Sequence, residues 1–243
     1  MAKKTKSISK AKKKPARAAK KVVKSKAVKT AGRGKSSARS AKPTARKVSK
    51  PKPKTMTVAQ RIVALEEKIQ NDKKELAALR KAQSPEEIAD YVLKAHDGSQ
   101  IRLSEMFGAH TDMILVHNMG KGCRYCTLWA DGFTGFTKHL ENRAAFVVVS
   151  KDPFDIQRDF YNSRGWNFRM YSSHGTTFNR DVSFETETGG QMPGVSAFYK
   201  DDNGRIFRTA YAYFGPGDDF CAVWPMLDLL KTGPDGWEPQ YSY

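Results

Sequence analysis

Cysteine is scarce in this sequence: its 243 residues include three. A small secreted protein that depends on disulfides carries more, and the N-terminal region lacks the apolar segment of a secretory signal. The sequence also contains no apolar run long enough to span a membrane. These absences exclude a disulfide scaffold, and they predict a cytoplasmic protein that makes no membrane contact.

Residues 1–55 contain no acidic and no aromatic side chain, and they hold 22 of the 43 Lys and Arg residues. The first acidic residue is Glu66, and residues 56–243 carry 21 basic and 25 acidic side chains. The net charge of +18 therefore belongs to the tail. Because the tail has so little apolar surface to bury, it is predicted to be disordered. Its charge favours nonspecific binding of nucleic acid, and a merely solubilising arm is the alternative.

Residues 56–84 form a predicted amphipathic N-terminal helix. Apolar side chains recur at spacings of three and four from Val58 to Leu79, with Asp72 interrupting the series, and Ser84-Pro85 ends the pattern. Packing of this helix on its own domain is favoured over a dimeric coiled coil, because the pattern covers only about four heptads. The coiled coil would make the chain a homo-oligomer.

Two of the three cysteines form the motif Cys123-Arg124-Tyr125-Cys126. The motif follows the apolar run Met113-Ile114-Leu115-Val116 and precedes a helix-like segment, so the pair is predicted to lie at a helix N-terminus. Unpaired backbone N–H groups and a partial positive charge at that end favour the thiolate of Cys123. The pattern predicts that Cys123 attacks a substrate disulfide and that Cys126 resolves the mixed disulfide.

Several neighbouring side chains are candidates for tuning this chemistry. Arg124 adds a cation and is predicted to stabilise the thiolate. Asp131 is a candidate for proton transfer at the second cysteine, and a surface or loop-capping carboxylate is an equal alternative. His117 is interpreted as a packing residue. A structural zinc site would need two further ligands, and only Cys221, interpreted as inert, and scattered histidines remain. No metal and no cofactor is therefore predicted.

Strands and helices alternate over residues 85–243. Buried strands are predicted at 112–118 and 144–150, on either side of the cysteine motif. A strand at 194–200 turns at Asp202-Asn203-Gly204 into an antiparallel partner, and a helix follows. This β-α-β order with a final hairpin and helix predicts an α/β, thioredoxin-like domain, in which helices flank a central mixed sheet.

The segment around the cysteines, Gly122-Cys123-x-x-Cys126-x-x-Trp129-Ala130-Asp131-Gly132-Phe133, resembles the redox segment of a bacterial thioredoxin-like family. That family is catalogued as domain of unknown function 899. Further matching segments at 146–150, 165–166, 172–184 and 194–199 extend the resemblance over residues 56–237. It implies a thioredoxin fold and dithiol–disulfide exchange with a protein or small-molecule disulfide.

The sequence departs from the better-known relatives of this fold. Thioredoxins place a cis-proline opposite the cysteine pair, and counting back from the turn at Asp202 assigns that place to Ser196, three residues after Pro193. Peroxiredoxins require Pro and Thr ahead of their reactive cysteine, where this chain has Val116 and Gly120. The alternative to a dithiol–disulfide oxidoreductase is a protein that is not an enzyme: a non-catalytic thioredoxin-fold binding or nucleoid-associated protein.

Overall fold

The computed structural model describes residues 55–243, so the tail predicted over 1–55 lies outside the described residues apart from Thr55. The helices are α1 (Val58–Ala82), α2 (Arg124–Thr134), α3 (Thr137–Glu141), α4 (Phe154–Arg164), α5 (Phe178–Asp181) and α6 (Val223–Asp228). The strands are β1 (Glu86–Ile88), β2 (Val92–Lys94), β3 (Gln100–Arg102), β4 (Asp112–Asn118), β5 (Ala145–Ser150), β6 (Arg169–Ser172), β7 (Gly194–Lys200) and β8 (Ile206–Tyr213). No helix within these residues is both long and apolar enough to cross a bilayer.

All eight strands join one mixed sheet in the order β1-β8-β7-β4-β5-β6-β2-β3. Strand β4 lies near the centre, parallel to β5 and antiparallel to β7. The chain passes from β4 through α2 and α3 to β5, and later forms the β7–β8 hairpin before α6. This β-α-β unit with its hairpin and final helix confirms the predicted thioredoxin-like fold.

The sheet separates two apolar clusters, because successive side chains of a strand point to opposite faces. Met113 and Leu115 of β4 belong to one cluster and Val116 to the other. Helix α2 packs in the second cluster through Trp129 and Phe133. The start of α2 is therefore held at the carboxyl end of β4 by a buried aromatic core.

Helix α1 stands apart from this packing. It starts at a capping box in which the Thr57 hydroxyl accepts the Gln60 N–H at 3.2 Å and the Gln60 side chain accepts the Thr57 N–H at 2.9 Å. None of its residues is buried. The expectation that α1 packs its apolar stripe on its own domain is therefore wrong for the residues that the structure describes.

Candidate functional site

A short loop carries the chain from the end of β4 to the first cysteine. The Asn118 side chain accepts the Gly120 N–H at 2.7 Å, and the Asp152 carboxylate after β5 accepts the Lys121 N–H at 2.8 Å. Gly120 has a φ of +93°, and a Cβ there would lie 2.4 Å from an oxygen of Asp152. The loop is thus clamped between the carboxyl ends of two adjacent strands, by residues that the motif alone does not reveal.

Cys123 is the N-cap residue of α2 and is partly exposed. Its Sγ accepts the backbone N–H of Cys126 at 3.1 Å. A hydrogen bond with the Cys126 thiol is the largest cause that lowers the pKa of Cys123, and the N–H groups of Cys126 and Tyr125 add to it. Together they outweigh burial, which acts in the opposite direction, and bring the pKa to about 7.

Cys126 lies in the first turn of α2 and is 2% exposed. Its Sγ accepts the Met119 N–H at 3.4 Å. The hydrogen bond with Cys123, followed by burial, raises the pKa of the Cys126 thiol far above its usual value. Both thiols are free, so the motif presents one reachable, acidic thiol backed by a buried, protonated one.

Arg124 does not act as expected on the thiolate. Its guanidinium forms an ion pair with Glu238 at 2.8 Å, and the Tyr125 hydroxyl donates to the same carboxylate at 3.4 Å. The groups that lower the pKa of Cys123 are the Cys126 thiol and backbone N–H groups, and Arg124 is not among them. Arg124 instead ties the C-terminal segment to the first turn of α2.

Asp131 is likewise committed elsewhere. One carboxylate oxygen accepts the Trp166 indole N–H at 2.8 Å, and the two oxygens together accept a bidentate guanidinium from Arg164. Five residues of helix also rotate Asp131 about 140° away from Cys126. The carboxylate therefore joins α2 to the end of α4 through two side chains and caps no loop of the described chain. Within residues 55–243 it forms no hydrogen bond with either cysteine of the motif, so the geometry gives the candidate role in proton transfer no support.

The contacts of His117 confirm its interpretation as a packing residue. The ring stacks on Phe184 at a centroid distance of 3.6 Å, and Nε2 lies 2.9 Å from the Ser196 hydroxyl. Burial lowers the pKa of His117 well below its ordinary value, so the ring is neutral. Phe184 belongs to the apolar cluster opposite the one that contains Cys126. The imidazole is therefore separated from the cysteines by the sheet.

The assignment of the thioredoxin proline position to Ser196 is wrong. Ser196 lies inside β7, paired with Leu115 of β4. Because β7 runs antiparallel to β4, the residue just before β7 lies at the edge where Cys123 follows β4, and that residue is Pro193. No peptide bond within residues 55–243 is cis. Pro193 thus lies directly before β7, at the edge of the sheet near the cysteines, and its peptide bond is trans.

The C-terminal segment lies along one side of the motif. The Tyr241 carbonyl accepts a hydrogen bond from the Arg164 guanidinium at 2.5 Å, and the Tyr241 ring packs edge-on against Phe160. Burial and the neighbouring Cys123 thiolate raise the pKa of Tyr241. Together with the contacts of Glu238, these contacts place the end of the described chain next to Cys123, which the motif could not indicate.

An apolar cavity of about 500 Å³ opens between α2, the sheet and the segment before α6. Its walls include Phe133, Phe214 and Trp224, with Asp218 and Asp228 among the polar residues. Cys221 also contributes to the wall; it is buried, and burial raises the pKa of its thiol. Residues 55–243 contain no group of three or more His, Cys, Asp or Glu side chains arranged to hold a metal ion.

Solved structures with a related fold include peroxiredoxins. Peroxidoxin BcpB of Mycobacterium tuberculosis is 23% identical, with 51% of this chain and 82% of that chain covered at a TM-score of 0.43. A peroxiredoxin-like protein of Aquifex aeolicus is 14% identical, with 54% and 75% covered and a TM-score of 0.43. At these scores the likenesses carry no conclusion about the reaction.

The sequence comparisons are more specific. None of the curated proteins compared with the chain matches it. The model of one family, described as bacterial protein of unknown function (DUF899), matches residues 50–242. That match covers the cysteine motif, the whole sheet and helix α1. The chain belongs to this bacterial family, DUF899.

Proposed function

We propose that the protein is a dithiol–disulfide oxidoreductase whose nucleophile is Cys123 and whose resolving thiol is Cys126. The observation that carries the proposal is the N-cap position of Cys123, where Sγ accepts the Cys126 N–H at 3.1 Å. Backbone donors and the helix dipole stabilise a thiolate there, which is the reactive form of cysteine. The hydrogen bond with Cys123, followed by burial, raises the pKa of Cys126 and keeps it protonated until Cys123 has reacted.

The reaction proceeds in two exchanges. The Cys123 thiolate attacks one sulfur of the substrate disulfide, forming a mixed disulfide and releasing the other sulfur as a thiolate. Cys126 then gives up its proton to that leaving thiolate and attacks the Cys123 sulfur. This attack breaks the mixed disulfide and releases the second substrate sulfur as a thiolate, which takes a proton from the solvent. The substrate is reduced to two thiols, and the protein is oxidised to the Cys123–Cys126 disulfide. An external dithiol reductant restores the protein by the reverse exchange.

Alkylation of Cys123 is expected to follow its lowered pKa. The thiolate dominates above about pH 7 and is lost as the pH falls through that value. Roughly 1% remains at pH 5, so the rate of reaction with iodoacetamide falls about a hundredfold below its plateau. The measurement is the alkylation rate of the Cys123 peptide by mass spectrometry over a pH series.

A Cys126→Ala variant provides the matched comparison, because it removes the strongest thiolate-stabilising partner. The midpoint for Cys123 is expected to move upwards in this variant. A wild-type midpoint near that of a free thiol, together with no internal disulfide under mild oxidant, would favour the non-catalytic alternative instead.

We further propose that residues 1–55 bind nucleic acid without sequence preference, since 22 basic and no acidic residues lie there. Binding by counterion release weakens steeply as salt rises. The full chain is therefore expected to be retained on DNA at low salt and released by moderate salt, as measured by filter binding. A chain whose tail lysines and arginines are replaced by glutamine is the length-matched control. Equal retention of both chains would reject this role.

A further inference from the structure

Helix α1 carries an apolar stripe, interrupted at Asp72, that residues 55–243 of its own chain do not cover. The stripe residues remain between 42% and 71% exposed in a helix of 25 residues with no buried side chain. They are Val58, Ile62, Leu65, Ile69, Leu76 and Leu79. Helices in water owe most of their stability to packing of such a face. The contact with the remainder of the domain includes the ion pair from Lys73 to Asp219 at 2.6 Å, which leaves the stripe open.

The stripe has the spacing of a coiled-coil seam. From Val58 onwards, the seam positions follow steps of four and three. Positions a hold Ile62, Ile69 and Leu76, and positions d hold Val58, Leu65, Asp72 and Leu79. Isoleucine at two of the three a positions, combined with leucine at two of the four d positions, favours two parallel strands. A single amphipathic helix on a globular surface needs a broader apolar face and no sustained seven-residue repeat.

The charges that flank the seam fit a second copy of the same helix. In a parallel pair, Arg61 at position g faces Glu66 at position e of the other copy, and Glu75 faces Arg80 in the same way. None of these four side chains takes part in an ion pair within residues 55–243. Lys68 and Lys73 form the unfavourable third pair, and Asp72 in the seam lies beside them.

We propose that α1 is the dimerisation element of this protein, forming a parallel two-stranded coiled coil with α1 of a second copy. Asp72 occupies a core d position and weakens the seam, because a polar residue in the core of a coiled coil lowers its stability. Its carboxylate is bound within its own helix by Lys68, four residues away, so each copy carries its own counter-charge into the interface.

Analytical ultracentrifugation of the full chain over a concentration series tests the proposal. The wild type is expected to form dimers, Ile69→Lys to be monomeric, and Asp72→Leu to lower the dimer Kd by at least about tenfold. Gln70→Lys is the matched control, since it adds the same charge one residue away and off the seam. A monomeric wild type, or equal dissociation by both lysine variants, would overturn the proposal.

Helix orientation needs a second measurement, in a chain whose three native cysteines are replaced by serine. Leu79→Cys is expected to cross-link two copies under mild oxidation, because equivalent d positions face each other in a parallel pair. An antiparallel pair separates these positions by about 25 Å. Lys74→Cys, on the far side of the helix, is the control. Failure of Leu79→Cys to cross-link, or equal cross-linking of both variants, would overturn the parallel arrangement.

Discussion

A Cys126→Ser variant is expected to accumulate a covalent adduct between Cys123 and the substrate. The serine hydroxyl is too poor a nucleophile to cleave the mixed disulfide, so the first exchange proceeds and the second stops. Multiple turnover with an aromatic reporter disulfide should fall about a thousandfold, while one equivalent of coloured thiolate is still released. Intact-protein mass spectrometry should show the added half of the reporter on Cys123.

Two further variants serve as controls for the Cys126→Ser experiment. Cys123→Ser removes the nucleophile, so it should show neither turnover nor adduct. Cys221→Ala alters the third cysteine, which is buried in the wall of the apolar cavity, and it should turn over like the wild type. Unimpaired turnover by Cys126→Ser would contradict the assignment of the resolving role. An adduct located on Cys221 would contradict the assignment of the nucleophile.

Gly120→Ala is expected to destabilise the protein by about 3 kcal/mol, because it combines a strained backbone with overpacking. The residue has a φ of +93°, and the new methyl group would lie 2.4 Å from the Asp152 carboxylate. In a chain of this size the midpoint of thermal unfolding should fall by roughly 6–12 °C. Calorimetry measures the effect directly.

Gly120→Ala should also change the reactivity of Cys123. Moving Asp152 or the loop disturbs the approach of Cys123 to the start of α2, so its pKa should rise and its alkylation at neutral pH should slow. Gly122→Ala is the matched control: Gly122 is exposed, and an added Cβ meets no atom within 4 Å. A surface change of this kind costs within about 0.5 kcal/mol. Equal losses of stability and of Cys123 alkylation rate in both variants would show that the contact between the Gly120 loop and Asp152 does not position Cys123.

The sequence was sufficient to predict the sheet that carries the site, because its strongest signals are local. The apolar runs at β4 and β5 and the turn before β8 determine the strands, and the cysteine spacing determines the start of α2. Once those strands pair around a β-α-β unit, few sheet topologies remain possible. The position of Cys123 at the helix N-cap could therefore be predicted before any contact was known.

The partners of the neighbouring charges could not be predicted in this way. Asp131 binds Arg164 and Trp166, which lie 33 and 35 residues further along the chain. Arg124 binds Glu238, which is 114 residues away. Local charge patterns indicate that a side chain is ionised and exposed, and they contain no information about which distant carboxylate or guanidinium the fold brings to it.

The residue opposite the cysteines at the start of β7 could not be predicted from the sequence for a similar reason. Counting residues back from the turn assumes a strand of standard length, and β7 extends over seven residues, from Gly194 to Lys200. Strand length depends on pairing with β4 and β8, which a count from one end does not include. The exposure of α1 could not be predicted either, because apolar spacing does not reveal which surface covers the stripe.

The two outermost strands of the sheet have a consequence for the behaviour of the protein at high concentration. Strands β1 and β3 have three residues each, and Glu86, Glu87 and Arg102 place charges along them. Fibrillar stacking requires uncharged, extended segments of about six residues at a free edge. The long apolar strands β4 and β5 lie at the centre of the order, with three strands on either side, so the segments most prone to cross-β assembly are the best shielded from it.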